Sequence, residues 1–262
     1  MILQYVHDMS VSRNNMSVWH IDKLDYRSEN GVMVTSDSLT LVLGATGKTG
    51  SRVANRLLSR GLPVRTAARH GADTHFDWDN PGTYTPALDG VKRVYLLGPV
   101  MRTDFADQVS VFLDQAEAAG AWHATYLSAY GIDSAPPKTA MRSVELDLLG
   151  RPGLNHTILR PAWFMQNFSE TFLRPTGGAI VVPAGDGTEA FVDVEDIAAV
   201  ASATLADPEA HAGAQYALTE TIASGHGSRP NSDVEKATGA APASFADFAR
   251  RAAAAWTVGE AR

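Results

Sequence analysis

Apolar residues fall along this chain in two patterns, short unbroken runs and stripes at helical spacing. Leu39-Thr-Leu-Val-Leu43 is continuous rather than alternating, the pattern of a strand covered on both faces. Behind it Val53, Ala54, Leu57 and Leu58 recur at i, i+1, i+4 and i+5, and Gly61 closes the helix this stripe predicts. Leu62–Ala68 and Val91–Leu97 are further apolar runs, the second ending at Gly98-Pro99, with His75-Phe-Asp-Trp78 leading into a loop between them. Asp104 is placed to cap a helix carrying Phe105, Val109, Phe112, Leu113 and Ala116, stopped by Gly120. A strand at Ala124–Ser128, a helix over Thr139–Leu149 and a strand at His156–Arg160, halted by Pro161, continue the alternation. Strands alternating with helices predict an α/β fold, a Rossmann-like doubly wound parallel sheet.

The last third has another texture. Ala179–Pro183 and Phe191-Val192 flank a Gly-Asp-Gly turn, Val194–Leu205 is an amphipathic helix and Gln215–Leu218 a short strand. Ala223–Ser232 reads as a loop, followed by two small helices opened by Ser232-x-x-Glu235 and Ser244-x-x-Asp247 capping boxes. The segment 1–38 is polar and aperiodic, without the basic start or apolar core of a signal peptide, and Met33 is an alternative initiator. The expected organisation is a disordered extension over 1–38, a cofactor-binding domain over 39–178, and a small truncated C-terminal region over 179–262, part of which completes the sheet.

Composition narrows the function classes. The 262 residues suffice for one sizeable core, and no apolar run is long enough to span a bilayer. A net charge of −7 without a Lys/Arg cluster argues against nucleic acid or anionic membrane as partner. The absence of cysteine excludes thiolate catalysis and cysteine-ligated metals, and the eight scattered histidines form no metal-binding pair. A cytoplasmic location, a small-molecule substrate and no metal are the expectations.

The candidate chemistry sits at the end of the first strand, in Gly44-Ala-Thr46-Gly47-Lys48-Thr49-Gly50. Three glycines spaced by three, between a buried strand and a helix, bring backbone N–H groups up to a pyrophosphate: Gly44 for the turn, Gly47 for close approach, Gly50 for packing of helix on strand. Gly47-Lys48-Thr49 resembles the end of a Walker A loop, but Val42 occupies the position where that motif needs its first glycine. No Asp or Glu lies between Ser51 and His70, where a dinucleotide site selective for NAD places one, and the second strand ends at Arg69. Arg69 is therefore the candidate for the 2′-phosphate, and NADP(H) the expected cofactor. In a parallel sheet ligands lie beyond the carboxyl ends of the strands, which gathers Leu97, Gly98, Pro99, Ser128, Ala129, Tyr130 and Pro161 to Asn167 around the same crevice.

These segments, with Phe76-Asp77-Trp78, Val94–Pro99, Ser128-Ala-Tyr130, Thr157–Asn167 and Pro183–Ile197, resemble the NmrA-like members of the atypical short-chain dehydrogenase/reductases. Within them the chain is most similar to the clavine dehydrogenase group of ergot-alkaloid chemistry and its bacterial relatives. The resemblance implies an NADP-binding Rossmann domain and a small C-terminal substrate region. It places Asp77 and Trp78 at the adenine, and Pro161, Ala162 and Phe164 beside the cofactor. Trp163, Met165 and Asn167 fall in the acceptor pocket, which Phe164 also lines. Two departures stand out. Reductases of the superfamily use a Tyr-x-x-x-Lys pair, and register from Glu145 puts Pro137 and Met141 in those positions, with Lys138 out of step by one. Tyr216–Thr219 also runs almost directly into Glu220–Ser228, where relatives insert helices that cover the substrate.

A ketone gains a proton as its oxygen gains charge, whereas an iminium, quinone-like or related conjugated acceptor is already electron-poor and needs less acid help. The missing pair therefore points to an oxidoreductase that reduces such acceptors with NADPH, with Tyr130 and Ser128 as the candidate catalytic residues. The alternative is a regulator of the NmrA type that binds NADP without turnover.

Overall fold

The apolar runs and stripes fold as successive βα units. A computed structural model of the chain describes residues 26–27, 33–34, 38–175, 179, 189–221 and 231–256. The strands are β1 (Tyr26–Arg27), β2 (Met33–Val34), β3 (Thr40–Leu43), β4 (Val64–Ala68), β5 (Thr74–His75), β6 (Arg93–Leu97), β7 (His123–Leu127), β8 (Asn155–Pro161), β9 (Trp163–Phe164), β10 (Ala190–Val192), β11 (Gln215–Leu218) and β12 (Glu220–Thr221). The helices are α1 (Lys48–Ser59), α2 (Tyr84–Leu88), α3 (Ala106–Ala118), α4 (Ala140–Leu149), α5 (Asn167–Glu170), α6 (Val194–Ala206), α7 (Asp233–Thr238) and α8 (Phe245–Trp256).

Seven strands form one parallel sheet in the order β11-β8-β7-β6-β3-β4-β5. The chain runs outward from β3 to β5 and returns on the other side at β6, so the direction of winding reverses between β3 and β6. A crevice opens at such a reversal because the connections leave to opposite faces. Alternation along each strand fills both faces. Leu41, Leu43, Val94, Leu96 and Tyr126 meet Leu88, Phe112, Leu113, Val144 and Leu148 from α2, α3 and α4. Val42, Tyr95, Leu159 and Leu218 meet Val53, Leu57, Ile197, Ala201 and Val234 from α1, α6 and α7. Each such Leu or Phe taken fully out of water contributes about 1.5–3 kcal/mol before conformational entropy is set against it. The fold is the expected Rossmann-type doubly wound α/β sheet.

A smaller sheet of β9, β10 and β12 lies beyond the end of β8, and β1 pairs with β2. The C-terminal helix is fixed by several groups: Trp256 Nε1 donates to the Phe168 carbonyl at 2.7 Å, Arg251 pairs with buried Asp193, and Phe245 meets the Phe168 ring edge-on. Local details differ from the sequence reading. Asp104 does not cap α3, whose cap residue is Phe105; it pairs with Arg102 at 3.1 Å instead. Pro161 closes β8 as its last residue rather than halting it earlier: it has no N–H to give, but its carbonyl still accepts from the Tyr130 N–H at 2.9 Å. Ser244 forms its capping box with Asp247, but the Ser232 side chain makes no cap. Most of the 1–38 extension, the strand expected at Ala179–Pro183 apart from Ala179 itself, its Gly-Asp-Gly turn, and the loop at 223–230 lie outside the described residues.

Candidate functional site

β3 ends in the turn Gly44–Gly47, and α1 starts at Lys48. Gly44 takes φ +60°, a conformation that costs a residue with a Cβ, and its bare face lies against the Leu97 side chain. The Gly47 N–H folds back onto the Gly44 carbonyl at 2.8 Å. Gly50 is a matter of space: a Cβ there would stand 2.3 Å from the Gly44 oxygen and 2.9 Å from that of Leu43. Only a glycine lets α1 come this close to β3. Thr46 and Gly47 are exposed, whereas Thr49 and Gly50 are buried under the turn.

No side chain caps the start of α1, and its first turn holds no acidic residue. Its first N–H groups lack the partners that an N-cap side chain would supply, and the helix dipole adds positive potential there. A bare glycine cradle, uncapped donors and the absence of a competing carboxylate fit the pyrophosphate of a dinucleotide.

Beyond the next strand, β4 ends at Ala68, and Arg69 stands exposed at the start of the loop to β5. This loop returns beside the glycine turn: a Cβ on Gly71 would lie 3.5 Å from Thr46 Cγ2. The acid of the loop, Asp73, faces elsewhere. Its Oδ2 accepts from the Thr66 N–H at 3.0 Å and the Thr66 hydroxyl at 2.8 Å, bonds that hold its carboxyl below the usual range. Asp77 accepts from the Asp79 N–H, and Trp78 is half-buried in an aromatic cluster with Phe76, Tyr84 and Phe112. Asp79 is clamped by Arg102 at 2.5 Å, which fastens this loop to the one after β6. In that second loop Gly98 is bare because the Phe105 ring fills the place of its side chain, Pro99 follows, and Met101 is 97 % exposed at φ +61°.

On the other side of the crevice stand the ends of β7 and β8. Ser128 is buried, and its hydroxyl donates to Glu145 Oε1 at 2.7 Å. That carboxylate also receives Arg160 Nε at 2.8 Å, Arg160 Nη2 at 2.9 Å and Arg142 Nη1 at 2.7 Å. Burial pushes the Glu145 carboxyl up, and the bonds from Arg160, Ser128 and Arg142 outweigh it, leaving the group below its ordinary range. The Ser128 proton is thus committed to a buried ionic hub.

Ala129 is half-buried, and Tyr130 follows it, its N–H bonded to the Pro161 carbonyl and its ring exposed. Pro137 and Lys138 lie exposed before α4, and Met141 packs against the core. Past β8, Ala162 is buried, Trp163 is exposed, and Phe164 leans on the core beneath α6. Met165 is fully buried, with no exposed surface to offer an acceptor; its N–H binds the Val192 carbonyl. Asn167 is nearly buried, and its Oδ1 accepts from the Thr171 hydroxyl at 3.0 Å.

Sequence reasoning passed over three contributors. Glu145 served only as a register marker, although three oppositely charged or polar partners converge on it. Phe172 is 71 % exposed with its ring edge-on to Trp163 at 6.4 Å, and Thr171 meets Lys48 Nζ at 3.1 Å. α5, which positions both, is too short to show a periodicity. Among the described residues no group of three or more His, Asp or Glu could hold a metal, and no helix is long and apolar enough to cross a membrane.

Comparison with known proteins places the site in context. The sequence matches the NAD(P)H-binding family over residues 44–208, a span that runs from the first glycine of the turn past α6. It is 37% identical over 180 residues to the uncharacterized oxidoreductase YesF of Bacillus subtilis (strain 168), covering 65% of this chain and 62% of that protein. It is 32% identical over 188 residues to an agroclavine dehydrogenase of Claviceps fusiformis, covering 65% of this chain and 64% of that one. The chain therefore spans less than two thirds of the length of these relatives. Among solved structures, the triphenylmethane reductase of Citrobacter sp. complexed with NADP(H) superposes with a TM-score of 0.63 at 18% identity, over 82% of this chain and 99% of that one, a likeness of fold. From the matched span and the glycine cradle at its head, the chain belongs to the NAD(P)H-binding family.

Proposed function

We propose that the chain is an NADPH-dependent oxidoreductase that reduces a small electron-poor acceptor, such as an iminium or a quinone-like conjugated compound, by hydride transfer. The observation that carries this reading is the commitment of Ser128 to Glu145, together with Pro137 and Met141 where a Tyr/Lys pair would stand. The acceptor side offers aromatic faces, Tyr130, Trp163 and Phe172, and little proton-donating power. When bound, the nicotinamide supplies the hydride. The residues of this chain hold its phosphates over the first turn of α1, place Arg69 for the 2′-phosphate, and keep the acceptor against the ring. Tyr130 is the donor for acceptors that do need a proton. The relatives named as oxidoreductase and dehydrogenase support the class of activity.

Acceptor-dependent oxidation of NADPH by the full chain tests the proposal. Iminium and quinone acceptors are expected to turn over faster than simple ketones, and Tyr130→Phe is expected to slow ketones more than iminium ions. Tight NADPH binding with no oxidation by any acceptor would replace the reading with that of a cofactor-binding regulator.

A further inference from the structure

Lys48 stands where the two walls of the crevice meet. Its backbone opens α1 directly after Gly47, in the turn that faces the phosphates, yet its ammonium reaches away and donates to Thr171 Oγ1 at 3.1 Å. The Thr171 hydroxyl in turn donates to Asn167 Oδ1 at 3.0 Å, and Asn167 is nearly buried at the head of α5. One turn along α1, Arg52 Nη1 donates to the Lys48 carbonyl at 2.8 Å, while Arg52 Nη2 reaches Glu170, the last residue of α5, at 3.3 Å. The start of α1 is thus fastened to the opposite wall by two cations, one held by a carboxylate and one by a neutral hydroxyl.

The two fastenings differ in what can replace them. An ammonium has three donors on a flexible stem, and a charge-assisted bond to a phosphate oxygen is roughly twice as strong as one to a neutral acceptor. A pyrophosphate over the first turn of α1 therefore outbids Thr171 for Lys48, whereas Glu170 keeps Arg52. We propose that Lys48 is a two-position latch: it holds Thr171 while the cofactor site is empty and turns to the pyrophosphate when the site fills, freeing Thr171 to face the acceptor. This inference rests on reading the crevice as an NADPH site. Lys48 is a positioning residue in this scheme, linking cofactor occupancy to the segment that carries Phe172. Arg52 also binds Glu195 at 2.8 Å, and Phe168 of α5 is tied to Trp256 and Phe245 of α8, so the expected movement falls in the residues after Glu170.

Thr171 then competes with the cofactor, and removing its hydroxyl should tighten binding. Titration of NADPH fluorescence on the full chain is expected to show Thr171→Val binding about threefold to tenfold more tightly than wild type, the worth of one exposed hydrogen bond from the ammonium to an uncharged acceptor. Lys48→Met should bind more weakly, Lys48→Arg should recover most of the loss, and Thr171→Val should add nothing in the Lys48→Met background. Thr171 is exposed, so valine there does not disturb the core. Hydrogen exchange supplies a second readout: NADPH should speed exchange at the Leu173 and Arg174 amides, which bond the Asn167 and Thr171 carbonyls, in wild type and leave it unchanged in Lys48→Met. A Thr171→Val variant with unaltered affinity, or one that gains equally with and without Lys48, overturns the latch. A wild-type chain that binds no NADPH overturns the functional reading and the latch with it, whereas binding that ignores Thr171 overturns the latch alone.

Discussion

Glu145 has no exposed surface, yet it remains charged because four donor atoms of Arg160, Arg142 and Ser128 surround it. Its folded-state pKa is depressed, so its contribution is fully present above the ordinary carboxylate range and is lost as the pH falls through the folded value. Glu145→Gln leaves the Arg160 charge buried without its counterion. The expected cost is about 3 kcal/mol, a fall in Tm of about 6–12 °C at neutral pH that shrinks in strong acid. Thermal melts across pH check this, and equal melting of variant and wild type at pH 7 would contradict it. Asp196 behaves in the opposite sense. Burial pushes its carboxyl up to about 6, against the hydrogen bond from the Ala243 N–H at 2.7 Å, with Asp193 raising it further and Arg251 and Arg56 opposing. A raised carboxylate favours the fold while protonated, and that advantage is lost as the pH rises through 6. Asp196→Asn should therefore raise Tm more at pH 7.5 than at pH 5. At this scale the sequence exposes chemistry but not partners. Ser128 looks like a free hydroxyl at a strand end, and only the packing of α4 on β8 brings Glu145 within its reach.

Among the elements, α1 is the one whose placement the cofactor site depends on most. Gly50→Ala would set a Cβ 2.3 Å from the Gly44 oxygen, a backbone atom that cannot rotate away. The helix must shift outward, and both Tm and NADPH affinity should fall together in melts and titrations; a variant that keeps wild-type affinity would show that this close approach is not needed. α8 gives a separate test. Trp256→Phe removes the bond to the Phe168 carbonyl, and amide exchange in α8 should quicken while exchange in the central sheet is unchanged. Elements with a full period of apolar residues were legible: α1 from Val53, Ala54 and Leu57, and β11 residue for residue. The short ones, β5, β9, β12, α2 and α5, span two to five residues and carry no periodic signal, so tertiary packing alone defines them. The expected cap at Asp104 failed for a related reason. Arg102 offered that carboxylate a charged partner, and sequence alone does not rank the two.

At the scale of the molecule, strand order turns a list of motifs into a site. The glycine turn and Arg69 lie far apart along the chain from Tyr130 and Trp163, and the reversal between β3 and β6 sets all of them at one end of the sheet. The glycine spacing made the cofactor turn readable, because its geometry is local. The Lys48–Thr171 contact joins residues 123 positions apart and leaves no trace in the sequence pattern. The cofactor assignment turns on Arg69, since Asp73, the carboxylate in the same loop, is engaged by Thr66. The most direct test is a fluorescence titration of NADPH and NADH on wild type and Arg69→Ala. NADPH should bind wild type at least about tenfold more tightly than NADH, the order of one charge-assisted contact, and Arg69→Ala should bring the two affinities together. Equal affinities in wild type, or a preference that survives in Arg69→Ala, would contradict the account.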